Sequence, residues 1–316
     1  MVMSRAAVLR TPDERFTNLP DFAFEPHYLT IEDPVLGPLR QHWITLGDDR
    51  NGVVLMLHGE PSWSFLYRKM LSPVAAAGWR CIAPDHIGFG RSDKPTDRTI
   101  FTADRFVGWM RQFVEQLDLQ RIVLVCQDWG GPIGLRLLAE MPDRFAGVFA
   151  TNTLLPTAEP PPRGVADWPG PIITPWIELC RSSNDLPVSE IIAATCVDRP
   201  APDVLAAYDA PFPDLSYKAA ALAITTLIPV DAEAPGIAAN RAAWDILERF
   251  ERPFATAFSD ADPATAAWEE VFRSRVPGAA RALHVRIGRA GHFVQEEQGA
   301  ELAAALVAFL ATIIPE

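Results

Sequence analysis

Asp128, His292, an acid at Asp260 or Asp262, and Glu60 are far apart in this chain, yet together they could perform one reaction. Asp128 ends the apolar run Arg121-Ile122-Val123-Leu124-Val125-Cys126-Gln127 and precedes Trp129-Gly130-Gly131, after which Pro132 to Met141 reads as a helix. Small residues flank it: Cys126 two before, Gly130 two after, Gly131 beyond. That pattern suits a sharp strand-to-helix elbow that holds one side chain clear of the backbone. A carboxylate in that slot attacks a carbon centre to give an ester, which water must then hydrolyse. His292, in Arg289-Ala290-Gly291-His292-Phe293, can activate that water. An acid in Phe258-Ser259-Asp260-Ala261-Asp262-Pro263 can orient the ring. Asp262 is preferred over Asp260, because a carboxylate preceding proline lies deeper towards the histidine. The backbone N–H groups of Glu60 and Trp129 are placed to hold a developing oxyanion. The leaving group follows from the donors. An epoxide oxygen needs a proton, normally from tyrosine, whereas a halide needs only donors, and the tryptophan Nε1–H is donor-only.

The elements that must position these groups are legible in part. Gln41 to Leu46, Val53 to Leu57, Arg80 to Pro84 and Ala146 to Thr151 read as strands. Helices of about Ser64 to Ala77 and Thr102 to Leu117 alternate with them. This order implies a mostly parallel sheet with helices on both faces. From Pro156 to about Pro229 prolines become dense, including Pro160-Pro161-Pro162, and strand signals stop. Helical patterns remain at Ser189 to Cys196 and Pro202 to Tyr208. Phe254 to Phe258 and Leu283 to Ile287 resume the sheet, and Glu297 to Ile314 closes as a helix. The expected organisation is a core over residues 1–155 and 230–316 with a helical cap over 156–229.

Composition narrows the class. The chain has 316 residues, 22% charged and a net charge of −12, which argues against a nucleic-acid partner. The four cysteines show no metal spacing, and Cys81 and Cys126 sit in apolar strands as reduced thiols would. The N-terminus, Met1 to Phe16, is too charged for a signal peptide, and no apolar run approaches bilayer length. A cytoplasmic protein without membrane contact is expected, either a monomer or a weak homo-oligomer.

These segments together resemble the haloalkane dehalogenases of the α/β-hydrolase superfamily, in the subfamily with paired halide-binding tryptophans. The resemblance is carried by His58-Gly59-Glu60-Pro61-Ser62-Trp63, Gln127-Asp128-Trp129-Gly130, Tyr208-Asp209-Ala210-Pro211-Phe212-Pro213-Asp214 and Gly291-His292-Phe293-Val294-Gln295-Glu296. It runs from Leu9-Arg10-Thr11-Pro12-Asp13 to the last helix. It implies an α/β-hydrolase fold with an inserted helical cap, hydrolysis of halogenated aliphatics to alcohol and halide, and no cofactor or metal. Asp128, His292 and Asp262 would be the catalytic triad. Trp129 would be the first halide donor and Glu60 would help hold the hydrolytic water. The family places its second donor about thirty positions before the Tyr-x-Ala-Pro-Phe-Pro-Asp motif. Trp176 lies 32 before Tyr208 (208 − 176) and is chosen over Trp168, which lies 40 before. Ser259 stands where members usually carry glycine, and the stretch before Trp176 is unusually proline-rich.

Simpler roles exist for each residue. Asp128 could be a helix N-cap, His292 a hydrogen-bonded loop residue, Asp262 a turn former and Glu60 a salt-bridge partner. Trp129 and Trp176 could pack in the core. Their joint occurrence in the order nucleophile, acid, histidine favours catalysis. An epoxide hydrolase would use the same Asp/His/Asp logic but needs tyrosines over Asp128, and the insertion offers only Tyr208 and Tyr217. A non-catalytic ligand-binding protein on the same scaffold would bind without turnover.

Overall fold

The computed structural model describes residues 7–157, 170–231 and 233–313. Its centre is an eight-stranded sheet. In chain order the strands are β1 (His27–Asp33), β2 (Gly37–Leu46), β3 (Val53–Leu57), β4 (Arg80–Pro84), β5 (Ile122–Asp128), β6 (Phe145–Thr153), β7 (Phe254–Ser259) and β8 (Val285–Ile287). Their spatial order is β1-β2-β4-β3-β5-β6-β7-β8. The two strands at one edge, β1 and β2, run antiparallel to their neighbours, and every other pairing is parallel. Strand β1 has no clear apolar run, and its one-sided burial explains why the sequence gives little sign of it.

Alternation along β5 shows how the sheet divides the core. Ile122, Leu124 and Cys126 pack into one apolar cluster, while Val123 and Val125 pack into the other. Helices α1 (Arg68–Ala76) and α11 (Gly299–Ala311) cover the second face and touch each other. Helices α2 (Ala103–Gln116), α3 (Gly130–Glu140) and α8 (Ile237–Leu247) cover the first, with α3 packed between the other two. Parallel strands buried on both faces read as continuous apolar runs, which is why β3, β4 and β5 are visible in the sequence.

Between β6 and β7 the described residues form helices and turns. They include α4 (Gly170–Ser182), α5 (Val188–Thr195), α6 (Pro202–Asp209) and α7 (Ala219–Ile224). Pro175 lies inside α4, one residue before Trp176. After β7 come α9 (Trp268–Arg275), α10 (Val294–Glu297) and α11. The expected closing helix over Glu297 to Ile314 corresponds to α11, which starts at Gly299; Glu297 ends the short α10 before it, and Ile314 lies outside the described residues. Among the described residues no helix is long and apolar enough to cross a membrane.

Candidate active site

Asp128 ends β5 in the left-handed region, with φ of +48°. A non-glycine residue pays conformational strain there, so the surroundings must hold it. They do so by contact. A Cβ on Gly130 would lie 2.0 Å from the Leu57 carbonyl oxygen, and one on Gly131 would lie 1.8 Å from Thr153 Oγ1. The Thr153 hydroxyl also donates to the Asp128 carbonyl at 2.7 Å. Helix α3 can therefore start so soon after Asp128 only because those two positions lack side chains.

His292 sits between two carboxylates. Its Nδ1 is 3.1 Å from Asp262 Oδ2 and its Nε2 is 3.5 Å from Asp128 Oδ2. Asp262 is buried; its Oδ1 accepts from the Ala264 N–H at 2.9 Å, and its Oδ2 from the Thr265 hydroxyl. Asp260 is exposed and instead accepts from the Ala290 N–H at 3.3 Å, bracing the loop rather than the ring. Burial works against charge on His292, but Asp262 and Asp128 outweigh it and raise the imidazole to about 10. Burial opposes charge on Asp262 as well, yet His292, Thr265 and the Ala264 N–H hold its carboxyl below the usual range.

Glu60 leads the loop after β3. Its backbone N–H donates to Asp128 Oδ1 at 2.9 Å, the position an oxyanion donor requires. Its buried side chain places Oε2 3.4 Å from the Thr225 hydroxyl and leaves Oε1 without a partner. Burial and the nearby Asp128 charge push this carboxyl well above its usual range, against the weaker pull of Thr225, His292 and the Trp176 indole.

Trp129, Trp176, Glu60, Asp128, Asp262 and His292 all line one cavity of about 570 Å³. Its remaining wall is largely apolar, including Leu154, Ile173, Leu227 and Ile228. Trp129 begins α3 beside the elbow, and Trp176 reaches in from α4. Trp168 lies outside the described residues. Among the described residues lining this cavity there is no tyrosine. Tyr208 is buried elsewhere and donates to Glu296 Oε2 at 2.7 Å, which removes it as an epoxide proton donor. Among the described residues no group of three or more His, Cys, Asp or Glu side chains converges as a metal site would.

Three supporting residues escape sequence reasoning. Buried Asn152, at φ of +38°, donates through Nδ2 to Ser259 Oγ, the Gly291 carbonyl and the His292 carbonyl at 2.9, 2.9 and 3.0 Å. Ser259 Oγ in turn donates to the Gly291 carbonyl at 2.7 Å. The serine that departs from the family pattern thus helps tie down the histidine loop. Gln127 Nε2 lies 3.0 Å from His292 Nε2, and its own Oε1 has no partner. Turned over, this amide would accept from a protonated ring. Its place beside Asp128 was the available signal. The loop also hangs from the insertion, since the His292 N–H donates to the Thr195 carbonyl at 2.8 Å.

The chain is similar to known proteins along nearly its full length. The α/β-hydrolase fold family matches residues 52–170. A haloalkane dehalogenase of Psychrobacter cryohalolentis is 47% identical over 303 residues, covering 96% of this chain and 98% of that protein. One from Mycobacterium marinum is 44% identical and covers 96% of this chain and 99% of its own length. The tetrameric haloalkane dehalogenase DpaA of Paraglaciecola agarilytica NO2 superimposes with a TM-score of 0.87 at 33% identity, covering 97% of this chain and 98% of that one. A strained carboxylate on an α/β-hydrolase elbow, a histidine between it and a second buried acid, and relatives of this similarity converge on one assignment: the chain belongs to the haloalkane dehalogenases.

Proposed function

We propose that this chain hydrolyses halogenated aliphatic molecules to alcohol, halide and a proton through an ester on Asp128. The observation that carries the reading is the placement of His292 between Asp128 on a strained elbow and the buried Asp262. In the first step an Asp128 oxygen attacks the carbon bearing the halogen, and the carbon–halogen bond breaks with its electron pair leaving on the halide. The Trp129 and Trp176 indole N–H groups stabilise that anion. In the second step His292 takes a proton from water, which attacks the Asp128 carbonyl carbon. The Glu60 and Trp129 backbone N–H groups hold the resulting oxyanion; one such donor is typically worth about 3 kcal/mol. Glu60 also helps place the water.

Ester formation itself prepares the base. Asp128 loses its charge on alkylation, so one of the two carboxylates that raise His292 disappears. The imidazole then drops towards neutral pH, where a general base works best. Asp262 remains to support the imidazolium that forms as water is deprotonated.

We propose a helical cap over residues 156–229 on a core of 1–155 and 230–316; the run of helices α4 to α7, of which α4 and α5 line the cavity, supports it. Four unpaired cysteines, three of them buried, support a reducing cytoplasmic setting. A monomer or weak homo-oligomer is our reading for this chain, though the related DpaA is a tetramer; sedimentation velocity checks it. Single turnover in heavy-oxygen water tests the chemistry. Isotope should enter the peptide that contains Asp128, and labelled alcohol beside unlabelled peptide would refute the ester.

A further inference from the structure

The cavity contains one acidic group that the triad does not use. Glu60 is buried beside Thr225 and lines the cavity with Asp128 and Trp176, and its Oε1 has no hydrogen-bond partner. Its own backbone N–H is bonded to Asp128 Oδ1, so the two carboxyl groups share one loop-to-elbow contact. The other ionisable groups facing it are few. His292, from the loop after β8, is already shared between Asp128 and Asp262. Cys180, from α4, is a buried thiol whose proton is held on chiefly by burial. Neither supplies a positive charge that is free to compensate a second buried carboxylate. An orphaned buried oxygen is costly for a carboxylate. It is better suited to a neutral acid, whose O–H can be offered to whatever enters the cavity.

We propose that Glu60 works as a neutral carboxylic acid that donates, beside the Trp176 indole, to the departing halide. This rests on the dehalogenase reading above and deepens it. Burial and the neighbouring Asp128 charge hold its proton on, which agrees with the geometry. The alternative, an ionised Glu60, would place three negative charges in one apolar cavity once the halide forms: Asp262, Glu60 and the halide, against a single imidazolium. As a neutral acid, Glu60 becomes a third donor from a part of the fold separate from both tryptophans.

The test is bromide binding followed by intrinsic tryptophan fluorescence in the full-length protein, wild type against E60Q, an isosteric neutral donor. Like charges a few ångströms apart in a partly desolvated site change binding by about tenfold or more. If Glu60 is already neutral, the two proteins should bind bromide within about threefold of each other at about pH 7. Tightening beyond that margin in E60Q means an ionised Glu60 has been removed and overturns the proposal; weakening beyond it denies that acid and amide are equivalent and overturns it too. The wild type gives a second measurement that does not depend on the variant folding. Its bromide affinity should be level across neutral pH and then fall in two steps, one as Glu60 ionises and one as His292 loses its charge at about 10, whereas a single step or a rise would refute the proposal. No bromide quenching in the wild type would instead refute halide binding itself, a separate failure.

Discussion

Replacing Asp262 with asparagine tests how the two half-reactions divide between residues. Raising His292 from its ordinary 6.5 to about 10 corresponds to about 5 kcal/mol, at about 1.4 kcal/mol per pH unit. Asp262 and Asp128 share that stabilisation, and Asp128 contributes nothing once it is an ester. Assigning about half to Asp262 gives about 2–3 kcal/mol of support for the imidazolium, or roughly 50-fold in the rate of water attack. The substituted amide could also favour the wrong ring tautomer, which adds to the loss. Carbon–halogen cleavage does not require an imidazolium, so it should slow far less. Rapid quenching should show one equivalent of bromide released promptly, followed by alcohol about 50-fold or more slower than in wild type, with the ester visible by mass on the elbow peptide. Alcohol formed at the wild-type rate, or no prompt bromide, would refute this division of labour.

Trp176→Phe removes one indole donor and should weaken bromide affinity by about tenfold, read by fluorescence titration; unchanged affinity would shift the second donor role to Trp168. Gly130→Ala places a Cβ 2.0 Å from the Leu57 carbonyl oxygen, a backbone atom that cannot give way. Chemical denaturation should register a loss of about 3 kcal/mol or more, and a loss under about 1 kcal/mol would contradict the packing account of the elbow. Stability should also depend on alkaline pH through His292. Its pKa is higher in the folded state than in the unfolded chain, so its pairing contributes fully below pH 6.5 and is lost as pH rises through about 10. The melting temperature should therefore fall across that window in wild type and much less in His292→Phe; equal slopes would refute it.

The central strands, the elbow and the three groups of the proposed triad were legible because each depends on local pattern. Parallel strands buried on both faces leave continuous apolar runs, and the elbow needs small residues at fixed offsets from Asp128. Of the two acids the sequence offers, Asp262 lies against the His292 ring and Asp260 against the Ala290 N–H. Strand β1 was missed because much of it faces solvent and, among the described residues, β2 is the only strand it pairs with. Helix α9 also left no signal, since its charged outer face masks a short buried stripe. The roles of Asn152, Ser259 and Gln127 were hidden for another reason. Asn152 and Gln127 reach partners more than a hundred residues away, and Ser259 bonds both Asn152 and the Gly291 carbonyl; no spacing along the chain encodes such contacts.

The hydrogen bond from the His292 main chain to the Thr195 carbonyl has a practical consequence. Anyone exchanging helix α5 for that of a relative, to widen or narrow what the enzyme accepts, also moves the peg on which the imidazole hangs. Such grafts should show their fault as lingering covalent intermediate, even when the new substrate enters freely.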